Sequence, residues 1–161
     1  MITHPDLKNL GYTNTLLKLP AELYELVQMK NYQEIDQFFT DELKPNGFLS
    51  ETLKNYGSFQ TTEHILTLRN GDDSLEPDED GIWHDDGSRL FAFSLGLNPK
   101  IETIEGGDLL FRRKGSSEIL YRHPPLAFGE LLVFLTGIWG YEHKVEAVTK
   151  GQRLHCAGWL S

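Results

Sequence analysis

Tyr141-Glu142-His143-Lys144-Val145-Glu146-Ala147-Val148-Thr149-Lys150-Gly151-Gln152-Arg153 is the run from which the architecture is read outward. Residues 141–148 have the aromatic and β-branched content of a strand. Lys150-Gly151 predicts a tight turn, because glycine accepts the positive φ that such a turn demands. Residues 152–160 then read as a returning strand. That path carries Arg153 back into the interior that His143 enters.

Upstream, Trp83-His84-Asp85-Asp86 contains a His-x-Asp pair. In an extended chain residues two apart share a face, so His84 and Asp86 can grip one ion while Asp85 points away. His-x-Asp alone is a weak signal in a chain with six histidines and 24 acids. His143 adds a third ligand. Two histidines and one carboxylate leave adjacent coordination positions open, the facial arrangement of non-haem iron(II) oxygenases. Arg153 suits a distal carboxylate, since its planar fork donates two parallel hydrogen bonds.

The remaining segments fit around this core. Short apolar runs at 64–68, 90–97, 108–112, 118–121 and 131–135 are separated by Gly, Pro and polar turns. Asn98-Pro99, Gly106-Gly107 and Pro124-Pro125 are the clearest breaks. Many short strands of this kind predict a sandwich or jelly roll. Residues 12–19 look extended. Helices are expected over 21–29, with Pro20 suited to the first helical position, over 32–43, and over 50–54 with Ser50 as cap. The expectation is a mainly β fold with N-terminal helices (α+β), in one domain. Residues 1–60 would be helical support and 61–161 the β core.

Length and composition agree. At 161 residues, one cored domain is the natural size. A formal charge of −9 argues against a surface built for phosphates, so nucleic acid is disfavoured as a partner. Much of the charge is local, in Asp72, Asp73, Glu76, Asp78, Glu79, Asp80, Asp85 and Asp86. A loop over 72–80 is expected at the rim of the site, favouring a cationic or polar substrate. The single cysteine, Cys156, permits no intrachain disulfide. No signal-like segment or membrane-length apolar run is evident, so a cytoplasmic location is expected.

With those residues in place, residues 61–161 resemble the double-stranded β-helix core of the 2-oxoglutarate/iron(II) oxygenases, in the prolyl-4-hydroxylase-like branch. The matching segments are His84-Asp85-Asp86, residues 90–98, Gly106-Gly107-Asp108-Leu109-Leu110-Phe111, residues 129–134, and residues 143–159. The resemblance implies that His84, Asp86 and His143 bind Fe(II) and that Arg153 binds the C5 carboxylate of 2-oxoglutarate. It further implies O2 as oxidant, release of succinate and CO2, and hydroxylation of a protein side chain such as prolyl or of an amino-acid-like molecule. Retention of Asp86 favours hydroxylation over halogenation.

This chain also departs from its relatives. His155 stands where many carry serine or threonine, and by parity it shares Arg153's face, so contact with the co-substrate is expected of it. A tyrosine used by several relatives is missing, and Leu68 and Arg69 occupy that region. Trp159 stands where relatives that demethylate nucleic acid carry a second arginine. Trp83, Trp139 and Tyr141 flank the ligands and are candidates to line the substrate pocket. Arg89 and Arg112 are expected in structural pairs, His64 and His123 outside the metal site, and Cys156 on the opposite face from Arg153. The rival readings are a cupin-like metalloenzyme not using 2-oxoglutarate and a non-catalytic binding module on the same scaffold. The sequence leaves the substrate and the oligomeric state unread.

Overall fold

The computed structural model describes residues 1–71 and 81–161. The acidic loop over 72–80, and the rim role expected of it, lie outside the described residues. Four helices come first, α1 (Pro5–Leu10), α2 (Ala21–Gln28), α3 (Tyr32–Glu42) and α4 (Phe48–Leu53), interrupted by β1 (Tyr12–Leu16). The strands that follow are β2 (Thr62–Gly71), β3 (Phe91–Gly96), β4 (Glu105–Gly106), β5 (Leu109–Arg113), β6 (Ile119–His123), β7 (Glu130–Leu135), β8 (Tyr141–Val145) and β9 (Val148–Leu160). They form a major sheet in the order β1-β7-β3-β9-β2, with β4 against β9, and a minor sheet β6-β5-β8. All the pairings are antiparallel. This is the expected jelly roll.

The major sheet is covered on one face by the helices. Leu23, Ile35, Phe39, Leu49 and Leu53 share one core cluster with Phe91, Phe93, Leu95, Leu131, Val133, Cys156 and Leu160. β3 is buried along its whole length, which is why its sequence is apolar on both faces, Ser94 excepted, rather than alternating. The other face looks toward the minor sheet. Register places Trp159, Ala157, His155 and Arg153 there with Glu63, Ile65, Thr67 and Arg69 of β2, and with Ala92, Ser94 and Gly96 of β3. Cys156 falls on the helix side, buried, as parity requires.

Three local expectations are corrected and one helix is added. Lys150-Gly151 is not a turn but lies within β9, with Lys150 opposite Glu105 of β4 and Gly151 opposite Gly71 of β2. The chain reverses at Glu146-Ala147, where it leaves the minor sheet for the major one, so β8 and β9 are never hairpin partners. Gly151 still has φ 76°, and a Cβ there would collide with the Thr103 carbonyl. Pro20 is the N-cap of α2 and not its first residue. Gly47 caps α4, with the Glu42 carboxylate accepting the Phe48 N–H at 2.7 Å, while Ser50 is buried inside the helix. Helix α1 went unanticipated because it buries only Leu7, although Pro5 at its start and Gly11 at φ 85° after its end are a recognisable pair.

Candidate metal and co-substrate site

β8 supplies His143, and the segment before β3 is laid against it. The His84 N–H donates to the His143 carbonyl at 3.0 Å and the His143 N–H to the His84 carbonyl at 2.9 Å, while the Gly81 N–H reaches the Val145 carbonyl at 2.8 Å. The two imidazole rings lie 4.3 Å apart. Asp86 does not arrive by strand alternation. Its φ is 58°, a left-handed turn that aspartate tolerates better than most residues. Asp85, directed away as expected, accepts the Gly87 N–H at 3.0 Å and pairs with Lys114. Arg89 donates to the Asp86 carbonyl at 3.3 Å. The turn is thus held from both sides.

His84, Asp86 and His143 each offer a ligand atom, all within 4.8 Å of one another. His84 Nε2 lies 3.6 Å from Asp86 Oδ1, and His143 Nε2 lies 3.6 Å from Asp86 Oδ2. The His84 Nδ1–H donates to the Ile82 carbonyl at 2.9 Å, which leaves the Nε2 lone pair facing the cluster. Asp86 Oδ2 and His143 Nδ1 are buried with no hydrogen-bond partner among the described residues. The His84 side chain is 45% exposed against 8% and 6% for His143 and Asp86, so the cluster opens past His84. Burial raises the Asp86 carboxyl above the ordinary carboxylate range, partly offset by His84 and by a hydrogen bond from Trp159. An orphaned carboxylate oxygen beside two imidazole nitrogens fits a divalent cation.

Burial and the neighbouring His84 push the His143 imidazole down to about 3. His155 is also held well below its ordinary value, by burial first and then by Arg153. Above pH 6.5 neither state of the chain protonates these rings. Below it the unfolded chain takes up protons that the folded chain refuses, so stability falls with pH down to about 3 for His143. Each ring contributes a limiting slope of about 1.4 kcal/mol per pH unit. Urea unfolding of the metal-free protein should therefore show a marked loss between pH 6.5 and 5. His143→Gln should remove about half of that loss; a midpoint flat over the range would contradict the assignment.

His84 and His143 share a cavity of about 180 Å³ with Arg153, Arg69, Thr67, Ser94 and Trp159. That is the liquid volume of about six waters, the size of a small organic acid. Arg153 is 3% exposed, and its Nε has no hydrogen-bond partner among the described residues. Burial, and next the Arg69 charge, push its guanidinium down to about 9. Asp108 acts in the opposite direction but is engaged by Arg122 at 3.0 Å, itself bound to Glu146. Gly107 makes room for the arginine, since a Cβ there would lie 2.8 Å from Arg153 Cδ.

His155 stands behind the cavity wall. It is 1% exposed, with Nε2 accepting the Leu126 N–H at 3.2 Å. Its proton is therefore on Nδ1, which donates to Ser94 Oγ at 2.8 Å. Strand parity set the correct face, but the ring reaches the cavity only through Ser94. The three flanking aromatics are not in the cavity lining either. Trp83 lies under Arg112 at 3.8 Å, Trp139 Nε1 donates to the Leu90 carbonyl, and Tyr141 stacks on Phe111. The aromatics that do line it are Phe93, Phe134 and Trp159, and for Trp159 its place on β9, two residues on from Ala157, is the available signal. Arg89 pairs with Glu63 and Arg112 with Glu142, as expected. His64 is paired with Asp36 and His123 with Glu130, away from the metal cluster.

A jelly roll with a two-histidine, one-carboxylate cluster at one end of a cavity and a buried arginine in its lining defines the oxygenase type of metal site. The chain belongs to the 2OG-Fe(II) oxygenase superfamily, whose family profile matches residues 55–161. These enzymes use Fe(II), 2-oxoglutarate and O2. The fold is similar to that of a Pseudomonas putida prolyl-4-hydroxylase (20% identity, TM-score 0.62, 99% of this chain and 93% of that one). It is also similar to a Trichoplax adhaerens prolyl hydroxylase solved with a hypoxia inducible factor peptide fragment (15%, 0.62, 96% and 85%). A Burkholderia pseudomallei 2OG-Fe(II) oxygenase family oxidoreductase aligns at 13% identity and TM-score 0.61, over 97% and 88%. No curated protein sequence matches the chain. No helix among the described residues is long and apolar enough to cross a membrane.

Proposed function

We propose that the chain is a hydroxylase in which His84, Asp86 and His143 hold iron(II) and Arg153 anchors the distal carboxylate of 2-oxoglutarate. The observation that carries this reading is the unpartnered, buried guanidinium lining the same cavity as the metal cluster. When bound, iron and 2-oxoglutarate supply oxidative power, with succinate and CO2 released. The chain's own residues orient the co-substrate, keep the pocket small and leave the way in past His84. The substrate is a protein side chain, prolyl for example, or a small amino-acid-like molecule. Support for a peptide comes from the similar fold of the peptide-bound prolyl hydroxylase. In this reading all 161 residues act as one oxygenase domain, with the N-terminal helices buttressing the major sheet.

The decisive measurement is anaerobic. Iron(II) added with 2-oxoglutarate should give a metal-to-ligand charge-transfer band in the visible range, and admission of air should yield succinate. Absence of the band in the wild-type protein, or an equal band in His84→Ala, would overturn the proposal and leave a metalloprotein of other chemistry.

A further inference from the structure

Arg69 stands directly opposite Arg153 in the β2–β9 ladder, on the same face, and both side chains line the one cavity. Like charges facing each other across a ladder repel, more strongly where burial lowers the dielectric. Such a pair persists in a folded protein when an anion completes it. Among the described residues none supplies it: no acid there pairs with Arg69, and Asp108, the acid that acts on Arg153, is held by Arg122. A half-buried cation on the edge strand could turn to solvent and pair with nothing, yet Arg69 remains in the lining beside an orphaned Arg153 Nε.

Resting on the function proposed above, we infer that Arg69 is a second co-substrate-binding residue, gripping with Arg153 the distal carboxylate of a dicarboxylic 2-oxo acid. One guanidinium can bind a carboxylate through a bidentate fork. A second, approaching from the neighbouring strand, reaches the lone pairs that the first leaves free, and the shared carboxylate offsets the repulsion between the two cations. The site should then discriminate strongly against 2-oxo acids whose far end is a methyl group. For those, neither guanidinium gains a partner, and the charge-assisted contacts that favour 2-oxoglutarate are missing.

The test compares 2-oxoglutarate with 2-oxopentanoate, which has the same chain length and no distal carboxylate. Both are titrated anaerobically into the iron(II)-loaded protein by calorimetry. Arg69→Gln should weaken 2-oxoglutarate binding by about tenfold. It should leave 2-oxopentanoate binding unchanged to within about twofold. An equal weakening of both acids would mean that Arg69 only shapes the cavity, and an unchanged 2-oxoglutarate affinity would place it outside the site. Either result overturns the inference. If Arg153→Met loses the discrimination while Arg69→Gln keeps it, the inference about Arg69 falls and the proposed function stands. If the wild-type protein binds the two acids alike, the 2-oxoglutarate reading itself falls, and the role of Arg69 with it.

Discussion

Asp86→Asn is expected to weaken iron(II) binding by at least about 100-fold and to abolish turnover, while leaving the metal-free fold as stable as wild type or more so. The substitution keeps volume and keeps a residue that accepts the left-handed turn at φ 58°. What it removes is the one negative charge of the cluster. Without it a divalent ion meets two neutral imidazoles in a largely closed site, which cannot offset the ion's lost hydration. In the metal-free protein the same charge is a liability, since burial raises the Asp86 carboxyl and Oδ2 lacks a partner. Trp159→Phe gives an intermediate case. It removes the indole hydrogen bond to Asp86 and should weaken metal binding by about tenfold. Metal titration and thermal melts of the metal-free variants check this. A large fall in melting temperature for Asp86→Asn would mark Asp86 as structural.

How much of this was legible without coordinates depends on the distance over which each signal acts. His143 and Arg153 were placed on strands of one interior by local alternation, and alternation is a property of the strand itself. The link between them was misread, because a glycine at positive φ looks the same in a hairpin turn and in a strand approached by a carbonyl. Only the sheet assignment of β8 and β9 separates the two cases. His-x-Asp picks out two residues that the structure does bring together, but through a different conformation, since the turn at Asp86 is set by Asp85, Gly87, Lys114 and Arg89, most of which look like ordinary surface residues. His155 shows the limit of parity. Its face was readable, but the backbone of Leu126, brought in by the segment after β6, decides where its ring stops. Arg69 and Trp159 escaped because their places in the cavity lining depend on cross-strand neighbours, which no local window contains.

Arg153→Met should weaken 2-oxoglutarate binding by about 2–4 kcal/mol, roughly 30- to 700-fold, and at the same time raise the melting temperature of the ligand-free protein. Methionine retains an apolar stem in the space that Gly107 leaves open, so packing is largely conserved. The sign of the stability change follows from the titration. The guanidinium ordinarily keeps its proton far into the alkaline range, whereas burial in the folded protein pushes it down to about 9. Below pH 9 it is charged in both states, so the full desolvation burden falls on the native state and does not vary with pH near neutrality. Removing the charge lifts a burden on the order of a few kcal/mol. Adding 2-oxoglutarate to the wild-type protein relieves the same burden by pairing the charge, so the ligand should raise the wild-type melting temperature and barely move that of Arg153→Met. The two melting temperatures should therefore cross, with the variant the more stable alone and the wild type the more stable at saturating ligand. If instead Arg153→Met melts lower without ligand and binds 2-oxoglutarate as tightly as wild type, Arg153 is a packing residue and the cavity is not the co-substrate site.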